Sequence, residues 1–279
     1  MTLNLESVLA PQSILGSFLV LFIGGMLFFP ITSGSSYLYY RVFRRERFFK
    51  NDQENLAKED GQRKTEWLWA FYNVLGNAVV TAPIHHLVVT GKSKVYYAVS
   101  DHGYGWLAFS VLLVLVITEP LVYWAHRILH HPWLYKRIHL HHHQFRVPSP
   151  WTSMAFHPLD SFMQAVPHHL LVFLFPMHIG VYMGFIMFLQ VWSTFIHERV
   201  TWVRWGFINY TAHHTLHHKA NKYNYGQFFT VCDRIWGSYK APLGVVYDGA
   251  DPAVVAAGAP VTTSSAARQP VEKIVGASQ

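Results

Sequence analysis

Histidines in this chain fall at spacings that suit metal ligation. His126 and His130 stand four residues apart, so on a helix both rings share a face. His139, His142 and His143 follow at i, i+3 and i+4, and His214, His217 and His218 repeat that pattern. A helix carrying H-x-x-H-H is expected to offer three imidazoles to one small volume. Between these boxes lie His157, in F-H-P-L-D, and His197. No segment fills a metal shell alone. Together they supply enough imidazole for two metal ions with positions left open for oxygen or water. Imidazole suits iron, zinc and copper, so ligand type leaves the metal undecided. The plain alternative is a surface cluster that binds metal adventitiously, and recurrence of one spacing argues against it.

Two carboxylates are candidate catalytic residues. Glu119, Tyr123, His126 and His130 lie at steps of four, three and four and form one helical stripe. An acid within an apolar span points to function. Glu119 is therefore expected to accept a ring N–H from a ligand histidine, as carboxylates behind metal-bound histidines do; an ion pair with Arg127 is the competing role. Asp160, one turn beyond His157, has a similar claim. His131, His141 and His168 read as packing neighbours, and His213, at i, i+4 to His217, stays open.

The elements that must position these residues are apolar. Of 279 residues 51% are hydrophobic and 13% charged, against about 25% charged in ordinary soluble domains. A disordered chain would be charge-rich and aromatic-poor, whereas this one is 16% aromatic. One cysteine, Cys232, excludes a disulfide scaffold and a cysteine-rich metal site. Uncharged runs cover Ser7–Tyr40, Trp67–Gly91, His102–Thr118 and Ser161–Ile196. A spanning helix needs about 20 apolar residues. The first two runs qualify, the third does so if extended to Trp124, and the last reads as a tight hairpin turning near Pro176–Gly180. The fold expected is an all-α integral membrane bundle of about four spans with a histidine-rich helical cap. Residues 1–248 form a single membrane-embedded domain, and Gly249–Gln279, rich in Ala, Gly, Pro, Ser and Thr, reads as a disordered tail.

The net charge of +7 fits a membrane face, and no nucleic-acid partner is expected. No Lys or Arg precedes Arg41, which argues against a cleaved signal peptide. Arg41–Lys64 then holds eight basic residues, so the positive-inside rule makes it cytoplasmic. Following the spans, His126–His157 and everything from His197 onward share that cytoplasmic face.

The boxes H-R-x-x-H, H-x-x-H-H and H-H-x-x-H-H resemble those of the fatty acid hydroxylase/sterol desaturase superfamily of membrane di-iron enzymes. H-H-P-W-L-Y-K-R-I-H from His130, S-x-A-F-H-P-L-D-S-F-x-Q from Ser153, N-Y-G-Q-F-F-T from Asn224 and D-R-I-W-G-S-Y from Asp233 are similar to its C-5 sterol desaturase branch. The resemblance covers Glu119–Tyr239. It departs at His197-Glu-Arg, where that branch usually has His-Asp-Gly, and at Cys232, where it usually has Trp. It implies an O₂-dependent desaturase with two iron ions, placing a C5–C6 double bond in a Δ7-sterol drawn from the bilayer. Electrons would come from NAD(P)H through cytochrome b5 or an equivalent donor, for which Arg41–Lys64 is a candidate dock. The host membrane would be the endoplasmic reticulum in a eukaryote or the inner membrane in a bacterium. A sister lipid hydroxylase and a non-enzymatic membrane metal-binding protein remain the alternatives.

Overall fold

The computed structural model describes residues 10, 12–50, 52–201, 203 and 205–242. The end of the expected domain and the expected tail, 249–279, lie outside the described residues. Helix α1, Ile14–Tyr37, starts at Ser13, whose Oγ accepts the Gly16 N–H at 2.8 Å. It runs on as a π-helical stretch, Leu38–Phe43. A short helix α2, Arg45–Phe49, leads into α3, Gln53–Val89, of 37 residues. Helix α4, Gly103–Leu129, carries the first histidine box at its end. After α5, Pro132–Leu134, a π turn, Tyr135–His139, and α6, Leu140–His143, carry the second. Pro150–Met154 is a 3₁₀ turn. Helices α7, Pro158–Leu174, and α8, Ile179–His197, form the expected hairpin, and α9, Thr211–Ala220, holds the last box. Helix α10 is Val231–Ile235.

The bundle is all-helical, apart from a two-residue parallel pairing of β1, Val95–Tyr96, with β2, Met177–His178, at the hairpin turn. Helix α3 packs between α1 and α7, and α7 packs on α4. At Gly76 of α3 a Cβ would come within 2.6 Å of the Pro158 ring, so only glycine allows this approach of α3 to α7. An apolar cluster of Val88, Val114, Leu171, Val172, Met177 and Tyr182 closes the end near the strands.

Three helical stretches among the described residues are long and apolar enough to cross a bilayer, Ile14–Phe43, Gly103–Leu129 and Ile179–His197. Their outer faces bear Ile23, Leu27, Ile31, Leu112, Val116, Met187 and Val191, all exposed. Water would penalise so continuous an apolar surface, whereas lipid solvates it. The other two long helices differ from the expected full spans. Helix α3 carries the expected uncharged run in its later part, but that part holds Asn73, Asn77, His85 and His86 and is less apolar than the three. Helix α7 has 17 residues, about 25 Å at ~1.5 Å per residue, short of the ~30 Å hydrocarbon core. It also holds Asp160, Gln164, His168 and His169, because it lies inside the bundle and faces the histidines rather than lipid.

Candidate metal centre

Nine of the ten expected ligands converge, in two adjoining groups. His126, His130, His139, His143 and His217 form the first, and His142, His197, His214 and His218 the second; within each, one nitrogen per ring lies within 4.8 Å of all the others. The groups touch, with the His143 and His218 ring centroids 4.8 Å apart.

Helix geometry explains the division and corrects the expectation that each H-x-x-H-H serves one volume. Residues four apart share a face, while neighbours diverge by about 100°. His139 and His143 therefore enter the first group and His142 the second. On α9, His214 and His218 enter the second and His217 the first. The second and third boxes each serve both groups. Thr211–His218 is accordingly buried throughout.

The partners of the rings fix which nitrogen is free. Carbonyl oxygens only accept, so a ring nitrogen facing one carries the proton. Nδ1–H of His126 donates to the Tyr225 carbonyl at 3.0 Å, and that of His217 to Tyr223 at 2.7 Å. In the second group the acceptors are Ala155 for His142 at 3.3 Å, Ser193 for His197 at 2.7 Å and Phe145 for His218 at 3.1 Å. His139 Nδ1 meets Asp160 Oδ2 at 2.6 Å, with both side chains fully buried. Each of these six rings turns an Nε2 lone pair inward. Burial first, then neighbouring imidazoles, holds His142, His143, His214, His217 and His218 well below the ordinary imidazole pKa. They are neutral, the form that binds metal.

These inward lone pairs are too close to be stable alone. His197 Nε2 lies 3.2 Å from that of His142, 3.0 Å from His214 and 3.3 Å from His218. With Nδ1 of His142, His197 and His218 protonated, those three Nε2 atoms have no proton to share. A cation among them removes the conflict. Metal–nitrogen bonds of about 2.1 Å put adjacent nitrogens about 3.0 Å apart at right angles and about 3.4 Å apart tetrahedrally. The spacing present fits a metal ion. In the first group His143 and His139 Nε2 are 3.0 Å apart, and Nε2 of His130 and His217 are buried without a hydrogen-bond partner.

Two expected residues stand elsewhere or act differently. His157 is outside both groups. It caps α7, its Nδ1 accepting the Leu159 N–H at 3.2 Å, and its ring stacks on His141. The cap turns the ring away from the centre. Glu119 bonds no histidine ring. Its carboxylate accepts the N–H groups of Phe228 at 3.1 Å and Phe229 at 3.0 Å. It therefore holds the loop whose Tyr225 carbonyl orients His126. Asp160 has the role expected of Glu119. His213 lies between Tyr210 and Tyr239, away from both groups.

The loop after α9 was not foreseen as part of the site. Asp233 accepts the N–H groups of Tyr225 and Gly226, each at 2.8 Å, and the Ser238 hydroxyl at 2.7 Å. At Gly226 a Cβ would collide with the Phe229 carbonyl and lie 3.0 Å from Asp233. Asn224 holds a left-handed backbone, φ 59°. The sequence N-Y-G, with glycine two residues past an asparagine that tolerates positive φ, was the available signal.

A groove reaches the edge of the centre. It measures about 640 Å³, is lined by Trp124, Ile128, Trp133, Leu134, Arg127, His131 and Tyr225, and ends on His130. Its walls are mostly apolar, and its volume falls in the range of about 300–1,000 Å³ usual for small-molecule sites.

The fatty acid hydroxylase family profile matches residues 111–238. The chain is 39% identical to the lathosterol oxidase of Rattus norvegicus over 223 residues, 78% of this chain and 71% of that protein. It is 38% identical to a Δ7-sterol 5(6)-desaturase of Gibberella zeae over 229 residues, 79% of this chain and 67% of that protein. A Δ7-sterol 5(6)-desaturase of Schizosaccharomyces pombe is 38% identical over 237 residues, 83% of this chain and 68% of that protein. No solved structure matches the chain significantly. With nine histidines, eight of them buried, in two ligand-like groups and relatives of this kind, the chain belongs to the fatty acid hydroxylase family, alongside its sterol desaturases.

Proposed function

We propose that this protein is a membrane sterol C-5 desaturase that removes one hydrogen each from C5 and C6 of a Δ7-sterol. With two electrons and two protons from outside, O₂ leaves as two waters and the sterol gains a C5–C6 double bond. The observation that carries this reading is the convergence of nine imidazoles, eight of them buried, into two adjoining groups, in a chain whose relatives bear that activity in their names. Two iron ions held there would supply the oxidant that an unactivated C–H bond requires. The five-histidine group holds one iron and the four-histidine group the other. Asp160 fixes His139, and Glu119 fixes the loop that orients His126. The sterol reaches the centre along the groove that ends on His130, its apolar body against Trp124, Ile128 and Trp133.

Electrons enter beside the same group. The Tyr135 ring is 5.5 Å from that of His130 and 5.8 Å from His143, and its hydroxyl accepts from Asn221 at 3.1 Å. Exposed Lys136, Arg137, Arg146 and Lys222 adjoin it in sequence or space, a basic rim suited to an acidic donor such as cytochrome b5. We place the dock here rather than on Arg41–Lys64 because this rim adjoins Tyr135, whose ring lies beside His130 and His143. The positive-inside rule puts this face in the cytoplasm, at the endoplasmic reticulum in a eukaryotic host.

Expression in a yeast lacking its own C-5 desaturase, with sterols analysed by mass spectrometry, tests the reading. The expected product is the C5–C6 unsaturated sterol, lost when His217→Ala is expressed to the same level in membranes. A hydroxylated lipid in its place, or no new sterol, overturns it.

A further inference from the structure

Beside the second histidine group lies a buried ion cluster. Arg41, Glu59, Glu198 and Arg199 are each at most 4% exposed. Arg41 Nε and Nη2 donate to Glu59 at 2.5 and 3.0 Å, and Nη1 donates to both oxygens of Glu198 at 2.8 and 2.9 Å. Arg199 Nε donates to Glu59 at 2.5 Å, and Arg199 also pairs with Asp52. Glu198 further accepts the Ser36 hydroxyl at 2.6 Å and the Arg199 N–H at 2.9 Å. The cluster ties together α1, its π-helical extension, α3 and the residue following His197.

Burying such charges gains little stability, because desolvation offsets the attraction and apolar residues would pack as well. Apolar packing would not, however, fix direction. Glu198 ends α8 in extended backbone, φ −70° and ψ 135°, immediately after His197. His197 is the hub of its group, its Nε2 within 3.0–3.3 Å of all three partners. Its other nitrogen rests on Ser193 of its own helix. Among the described residues no carboxylate bonds a ring of this group, in contrast to Asp160 in the first. The rings of the second group therefore depend on where the end of α8 is held. Arg41 can hold it because the π-helical stretch turns this one cation inward, as π-bulges at functional sites do.

We infer that Arg41 and Glu198 are positioning residues for the second metal, setting His197 by clamping the end of α8 to α1 and α3. The inference rests on the two-metal reading. Its test is iron titration of the purified full chain in detergent, with iron per chain measured by elemental analysis, for Arg41→Lys and Glu198→Gln. Lysine keeps the charge but cannot fork between Glu59 and Glu198. Each variant is expected to bind its second iron about 10–100-fold more weakly, while the first iron binds as before. The same loss should appear in a His217→Ala background, where the first group is broken, and be absent in a His214→Ala background. Unchanged affinity for both irons, or an equal loss for both, overturns the inference. Should either variant fail to fold, Ser36→Ala removes one bond to Glu198. It is expected to weaken only the second iron by a few-fold, and unchanged affinity there overturns the inference equally. Fewer than two irons in the unmodified protein overturns the two-metal reading first.

Discussion

The two histidine groups share the second and third boxes yet differ in what holds them. In the first, five rings include one oriented by a buried carboxylate, His139 on Asp160, and one, His130, that reaches an open groove. In the second, three of the four rings rest on backbone carbonyls, and the nearby carboxylates grip the helix end rather than a ring. The first group is tuned ring by ring and meets the outside. The second is set by the bundle and sealed. The difference fits the proposed division of labour, in which the first group meets substrate and donor and the second completes the pair.

Removing a ligand from either side should have the largest effect. His217→Ala and His218→Ala are each expected to lower desaturation at least about 100-fold, a ligand mattering more than the groups behind it. Elemental analysis should find one iron left in each, and the two losses should be complementary in metal titrations. If both variants lose the same iron, the division into groups is wrong. Next comes Asp160→Asn, expected to weaken the first iron alone by about 10–100-fold. A chelator should then strip that iron at lower concentration than in the unmodified protein, and parallel loss of both irons would erase the contrast.

The metal-free protein should respond to pH through both groups. Its buried imidazoles are neutral when folded and recover a pKa near 6.5 when unfolded. Below about pH 6.5 the unfolded chain binds more protons, so stability present above that pH is lost as pH falls. Thermal unfolding after chelation should show Tm falling steadily from pH 7 to pH 5, and iron loading should flatten the curve. A level Tm in the chelated protein would contradict the neutral, buried state of the rings. The smallest effect concerns the outer face of the first group. Lys136→Glu with Arg137→Glu should slow reduction by the soluble domain of cytochrome b5 by several-fold and weaken its dependence on salt. Stopped-flow reduction rates measure this, and an unchanged rate would move the dock elsewhere.

Much of this site could be read from residue spacing. The i, i+4 pairs marked rings that share a face, and the uncharged runs marked α1, α4 and the α7–α8 hairpin with its turn where expected. What spacing could not give was the destination of the odd ring in each box. That His142 leaves His139 and His143 depends on where α8 brings His197, a contact across 55 residues. Glu119 and Asp160 were both singled out as acids near the boxes, but only three-dimensional packing assigns one to a loop and the other to a ring. His157 looked like a ligand because it lies between the boxes, whereas α7 uses it as a cap. Arg41 read as a topology signal because its acidic partners, Glu59 and Glu198, are 18 and 157 residues away.

The sharing of the second and third boxes between the groups bears on how the protein matures. A nascent chain that has made only α4 and α6 owns rings for parts of two shells and for neither whole one. Until α8 and α9 arrive, no site can close around an ion. With two irons bound as proposed, loading would be a late checkpoint of biogenesis, keeping half-assembled chains from activating oxygen beside unsaturated lipid.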